Sequence, residues 1–269
     1  MNLHAQETVY LNSDSEITNS KETIIEHAVI HKNENGKGYT IDFFDMNGIL
    51  LRTSQYSKFG KTPDKQILYG KTNYKFFGSA QDSLVCYYRN NLRTGSATFY
   101  YADGKKHVKC AYKQGMLDGL LLQYYPNDSI KRKDIYKKGI ATATTIYSEE
   151  GEMLGNSPFY VPPTAPSTDI ATIVKEFAQA IKLPTSIWKK AGVWEAYVEI
   201  TLDAEGKMEK VRVLESNHPG LIKPSIHAAT EVFQSKTFKP ATMDRQPVRS
   251  SIILPVRYRV ESVRVTTPK

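Results

Sequence analysis

The residues whose types and spacing could do chemistry are few, and each falls short of a working site. His27 and His31 stand four apart, the spacing that sets two imidazoles on one helical face for zinc, but Ala28 occupies the place of a zinc protease's glutamate and no third ligand is evident. Structural or solvent roles are expected for both. Gly60-Lys61-Thr62 and Gly70-Lys71-Thr72 end like phosphate loops, yet the upstream glycine that lets backbone amides encircle a phosphate is replaced by Gln55 and Lys65. Both stretches are expected to be surface turns. His107, His218 and His227 are isolated, with no nucleophile-elbow pattern near them, and Glu149-Glu150 falls at a turn where solvation accounts for the paired carboxylates. No catalytic, metal or cofactor residues are assigned, and the chain is expected not to be an enzyme. A hydrolase with a site assembled from distant residues is kept as the weakest alternative.

Cysteine adds little chemistry. Cys86 and Cys110 are the only two, so there is no disulfide framework and no cysteine-rich zinc pattern. Their positions carry more information than their number, because they recur in a repeat.

The elements that must position these residues begin with composition. With 269 residues, 40% of them hydrophobic and 11% aromatic, the chain has enough apolar material for two ordinary cores. The formal charge of +8 is spread among acidic residues apart from Lys131-Arg132-Lys133 and Lys137-Lys138, which does not make a nucleic-acid surface. No apolar run approaches the roughly 18–20 residues of a membrane-spanning helix. Residues 1–5 resemble the small-residue end of a secretory signal, within an N-terminal segment 1–38.

The first half repeats. Gly48, Ala80, Gly104, Asp128 and Gly151 are each followed eight residues later by an aromatic: Tyr56, Tyr88, Tyr112, Tyr136 and Phe159. Successive intervals are 32, 24, 24 and 23 residues, the longest fitting an insertion around 58–72. Tandem aromatics such as Phe43-Phe44, Phe76-Phe77, Tyr100-Tyr101 and Tyr124-Tyr125 precede the turns. Each unit therefore reads as a hairpin with a two-residue turn, Asn47-Gly48 or Asp103-Gly104 supplying the positive φ angles. A lone hairpin cannot bury its apolar face, so the units are expected to stack as an all-β antiparallel meander over residues 39–157. Most of the aromatics are expected to pack within the sheet. In such a meander Cys86 and Cys110 lie two strands apart, about 9.6 Å by strand spacing, beyond the roughly 7 Å reach of a disulfide. Two separate thiols are predicted. Tyr112 to Gly119, followed by Tyr124-Tyr125-Pro126-Asn127, resembles MORN-type repeats and their bacterial variants, which implies a binding or scaffolding platform.

Residues 158–168, with Pro158, Pro162, Pro163 and Pro166, read as a short extended linker. Beyond it, over 169–264, Ile170, Ile173, Val174, Phe177 and Ile181 recur at helical spacing, with Thr168 or Asp169 as cap and Pro184 as stop. Trp194, Ala196, Val198, Ile200 and Leu202 then alternate as one face of a half-buried strand, and Asp203 to Gly206 turns into a second strand through Val211 and Val213. A helix near Pro224 carries Ile226, Ala229 and Phe233 inward, and a last strand runs over 250–260 before a tail at 265–269. This α+β domain, of order β-β-α-β, resembles the C-terminal domain of TonB over about 180–260. Leu183-Pro184, the Asp203–Gly206 turn, Val211 to Ser216, Phe238-Lys239-Pro240-Ala241 and Gln246-Pro247-Val248 carry the resemblance.

The resemblance implies a periplasmic or envelope-associated protein of a Gram-negative bacterium, one that pairs an edge strand with a protein or peptide partner, an outer-membrane transport component being a candidate. The partner-binding residues it points to are Val256, Tyr258 and Val260 facing inward, with Arg257 and Arg259 facing outward to suit an acidic or carboxylate-bearing peptide. The chain lacks a long rigid spacer before this domain, which separates it from an energy transducer. A cytoplasmic scaffold or antitoxin-like protein built on MORN-variant repeats is the second reading. The ligand and the oligomeric state are not legible.

Overall fold

A computed structural model of the chain describes residues 7–34, 36–165, 170–188 and 191–261. The chain divides into two compact units, Met1–Phe159 and Tyr160–Lys269. The signal-like residues 1–5, the helix cap at Thr168 or Asp169, and the tail 265–269 lie outside the described residues.

The first unit is one antiparallel sheet of thirteen strands. These are β1 (Glu7–Leu11), β2 (Glu26–Lys32), β3 (Tyr39–Asp45), β4 (Leu50–Lys58), β5 (Ile67–Lys75), β6 (Asp82–Arg89), β7 (Leu92–Tyr100), β8 (Lys106–Lys113), β9 (Met116–Leu117), β10 (Gly119–Tyr124), β11 (Ile130–Lys137), β12 (Ile140–Tyr147) and β13 (Met153–Gly155). Neighbours in the sheet are neighbours in the chain, except that the short β9 pairs with β8 beside β10. The meander starts earlier than the repeats do, because β1 and β2 pair on to β3 over residues with no repeat signature.

The hairpin turns differ from the expected two-residue geometry. Asp45, Tyr101, Tyr125 and Ser148 each accept a hydrogen bond from the amide three residues on, at Gly48, Gly104, Asp128 and Gly151, and donate their own amide to the carbonyl four residues on. Only the third loop residue has positive φ, from 66° to 90°. This is a three-residue loop, a type I turn closed by one left-handed residue, so Asn47 and Asp103 are not required to leave the ordinary region. The loop between β5 and β6 is one residue longer, Phe76 donating its amide to the Gln81 carbonyl, and there Gly78, not Ala80, takes positive φ. The two-residue turns lie at the opposite end of the strands, at Asn90-Asn91, Gln114-Gly115 and Lys138-Gly139, where both residues have positive φ. Two loop types at alternate ends make the period of 24 residues.

Side chains then fill one face in a fixed pattern. Ser54, Thr72, Cys86, Ala97 and Cys110 form a row of small buried residues, 0–3% exposed, across adjacent strands. Two residues beyond Ser54, Cys86 and Cys110 stand Tyr56, Tyr88 and Tyr112, and Tyr136 stands likewise two beyond the buried Asp134 of β11. Gly70, Gly95 and Gly119 lie directly opposite Tyr88, Tyr112 and Tyr136, each with the positive φ that glycine adopts readily. The second tyrosine of each tandem pair fastens one unit to the next: the Tyr101 hydroxyl donates to the Tyr124 carbonyl at 2.7 Å, and that of Tyr125 to the Tyr147 carbonyl at 2.9 Å. Cys86 and Cys110 are both buried, free thiols. Gly60-Lys61-Thr62 is in a loop, but Gly70-Lys71-Thr72 is part of β5 with Thr72 fully buried, so the expectation of a surface turn there is corrected.

The second unit comprises β14 (Tyr160–Val161), α1 (Ile170–Ala180), α2 (Thr185–Trp188), β15 (Gly192–Leu202), β16 (Met208–Ser216), α3 (Ile222–Phe233), β17 (Ala241–Met243), β18 (Gln246–Val248) and β19 (Ser250–Val260). Its main sheet has the order β16-β15-β19. Alternation places Ala196, Val198, Ile200, Val213, Leu254 and Val256 on the buried face, where Ile173 and Phe177 of α1 and Ala228, Ala229 and Phe233 of α3 cover them. Phe233 stacks on Phe238 with centroids 5.6 Å apart. A second small sheet, β14-β17-β18, has no counterpart in the sequence reading, and its first strand falls within the stretch expected as linker.

Candidate functional site

The strand β19 is built by alternation and marked as an edge by a proline within it. It pairs with β15 over eleven residues without a register shift, from Ser250 opposite Leu202 to Val260 opposite Gly192. Its other side has no strand partner among the described residues. Pro255 lies in this strand opposite Tyr197. Proline has no amide to give a ladder and is tolerated where its nitrogen points away from the neighbour. Backbone groups alternate every residue, so those of Arg257 and Arg259 share the outward direction of Pro255, and those of Val256, Tyr258 and Val260 serve β15.

The side chains divide as the sequence predicted. Val256 and Val260 are 6% and 8% exposed and belong to the core, while Arg257 and Arg259 are exposed. Tyr258 is half-buried against the same core, and its hydroxyl donates to the Ala178 carbonyl of α1 at 3.0 Å. Burial raises its pKa, so the phenol stays protonated and keeps that bond. The Arg257 Nε lies 3.0 Å from Glu195 Oε1 on the adjacent strand. Arg259 has no acidic partner among the described residues. The opposite edge, β16, is a poorer acceptor for another strand, because register shifts at Tyr197/Val198 and Thr201/Leu202 bend its pairing.

The residues inspected for catalysis are not brought together. His27 and His31 lie in a strand, not a helix, about 13 Å apart by strand rise, and they part further in their contacts: His27 stacks on Phe44, and His31 meets Asp42 at 3.2 Å. His107 packs on Tyr101 with centroids 4.4 Å apart; His218 accepts the Gly220 amide and abuts Trp194. His227 is exposed on α3. No group of three His, Cys, Asp or Glu side chains among the described residues is arranged to hold a metal ion. Cys86 and Cys110 are poor nucleophiles, burial lifting the first thiol above its ordinary range and the second to about 12.

Sequence reasoning missed the buried charges of the first unit. Arg52 makes two bonds of 2.9 Å to Glu26 and lies 3.8 Å over the Phe43 ring; Arg132 and Asp134 are both buried, 3.9 Å apart. Their partners are remote in sequence or hidden inside a strand of ordinary surface composition, so only the fold pairs them.

Residues 195–260 match the family described as Gram-negative bacterial TonB protein C-terminal. The match takes in β15, β16, α3, β17, β18 and β19 and leaves the first unit outside it. The likeness of that unit to MORN-type repeats rests on its residues alone. No curated protein matches the chain. No helix among the described residues is long and apolar enough to cross a membrane.

Proposed function

We propose that this chain is a non-catalytic interaction protein of the Gram-negative cell envelope, whose second unit takes up an extended partner segment as an added strand on the free side of β19. The observation that carries the reading is an eleven-residue strand, straight in register on one side and bare on the other, within a segment similar to the TonB C-terminal family. Backbone bonds to residues 257 and 259 would supply the affinity, and the side chains flanking them the selection. Arg259, with no acidic partner among the described residues, favours a segment bearing a carboxylate at the matching position. The repeats would serve as a second platform for a protein or a surface. An outer-membrane transport component suits the partner this reading requires.

The test places a photo-crosslinking amino acid at Arg259 in cells and, as a control, at Glu209 on the bent opposite edge. A crosslink to one envelope protein from position 259 alone, kept in Arg257→Ala and lost in Arg257→Pro, is the expected outcome. Crosslinks that ignore the proline, or that come equally from Glu209, refute strand addition at β19. A cytosolic location of the native protein with its natural N-terminus favours the scaffold reading instead.

A further inference from the structure

An open trough of about 490 Å³ lies in the first unit, lined by Tyr74, Phe76, Leu84, Arg93, Phe99 and His107 among others. Its walls come from the turn-proximal ends of β5 to β8, where Leu84 faces Tyr74 on one side and Phe99 on the other. Arg93 enters from the opposite ends of the strands. It is the one member of the lining that carries a permanent charge.

The surroundings of Arg93 set it apart from the other buried arginines of the sheet. Arg52 has Glu26 and Arg132 has Asp134. Arg93 has no carboxylate among the described residues: its Nε donates to the Tyr88 hydroxyl at 3.1 Å, and its guanidinium lies 6.0 Å and 5.6 Å from the ring centroids of Tyr88 and Tyr112. Those two rings attract a cation through their faces but bring no negative charge, since burial keeps both phenols protonated. The Tyr88 hydroxyl is also bonded to that of Tyr74 at 3.1 Å, which ties the arginine to the trough wall. The remaining polar contacts of Arg93 are to the neutral side chains of Tyr112 and Cys86. A partly desolvated guanidinium with no counter-charge among the described residues is a site for an anion, and its planar fork fits a carboxylate in two parallel bonds. Phosphate is less well served, because a dianion needs more than one cation or a cluster of backbone amides, and the rest of the lining is largely apolar and aromatic. His107 is already engaged by Gln123 and Tyr101.

We propose that this trough binds an organic carboxylate with an aromatic or aliphatic body, the carboxylate on Arg93 and the body between Tyr74, Phe76 and Phe99. This site is separate from β19 and does not depend on strand addition there.

The experiment titrates the full chain by calorimetry with phenylacetate and with its neutral counterpart phenylacetamide. Saturable phenylacetate binding at least tenfold tighter than phenylacetamide is expected, falling to the phenylacetamide level in Arg93→Gln. Equal affinity for the two compounds, no saturable binding of phenylacetate, or undiminished binding by a natively folded Arg93→Gln overturns the proposal. If Arg93→Gln fails to fold, substitution of another lining residue, Ser83→Trp, which narrows the trough while keeping the cation, decides: lost phenylacetate binding supports the site, and unchanged binding refutes it.

Discussion

Proline substitution along β19 separates a free edge from a paired one. If the amides of Arg257 and Arg259 point away from β15, Arg257→Pro removes a donor that no strand uses, and its effect should match Arg257→Ala within about 1 kcal/mol. The Glu195 ion pair is lost in both variants and cancels; being exposed, it contributes at most about 1 kcal/mol. The extended conformation that proline imposes on the residue before it is the one Val256 already has within the strand. One residue on, the outcome reverses. Tyr258 faces Trp194, and its amide is assigned to the β15 ladder. Tyr258→Pro should therefore lose about 1–3 kcal/mol beyond Tyr258→Ala, because a buried carbonyl is left without a donor. Tryptophan emission during urea unfolding reads the right unit, since Trp188 and Trp194 are the only tryptophans in the chain and both lie in the second unit. Arg257→Pro as damaging as Tyr258→Pro, each measured against its alanine variant, would show that β19 has the opposite parity and that residues 257 and 259 offer a partner nothing.

Two further outcomes concern the supports of each unit. The buried thiols and tyrosines of the first unit keep their protons more tightly when folded than when unfolded, so stability is complete below the ordinary cysteine value of 9.0 and declines as pH rises toward about 12; circular dichroism should show this decline, shallower in Cys110→Ala, and iodoacetamide at pH 8 should label both cysteines only after urea is added. In the second unit, Gly206 has φ +82°, and a Cβ there would lie 1.9 Å from the Phe238 carbonyl oxygen, so Gly206→Ala must displace the segment whose amide donates to the Gly206 carbonyl at 2.9 Å. A loss of about 3 kcal/mol is expected from left-handed strain and the broken bond together, and an unchanged tryptophan unfolding midpoint would contradict it.

What could be read from the chain follows from how local each determinant is. The period of 24 residues was legible because turns and tandem aromatics are decided within a few residues, and strict alternation from Trp194 to Leu202 made β15 equally plain. The loop type was not, since Asn-Gly and Asp-Gly serve a three-residue loop as readily as a two-residue one, and two of the three two-residue turns use Gln114-Gly115 and Lys138-Gly139, whose first residues give no turn signal. Strands β1 and β2 escaped because nothing in Glu7–Leu11 or Glu26–Lys32 echoes the repeat, and β14, β17 and β18 because two or three residues are too few to show a period.

The two candidate sites differ in the same respect. Pro255, inside a run that otherwise reads as a core strand, is by itself a local sign that β19 lies at an edge, and its parity marks which residues face outward. The sequence thus held both the place and the direction of that site. Arg93 has no such sign. Its sequence neighbours Leu92 and Thr94 are like those of many strand residues, and what distinguishes it is that no strand among the described residues brings it a carboxylate, whereas Glu26 reaches Arg52 across 26 positions. A missing partner is a property of the whole sheet, so a site defined by one becomes visible only when every strand that could have supplied the charge has been placed.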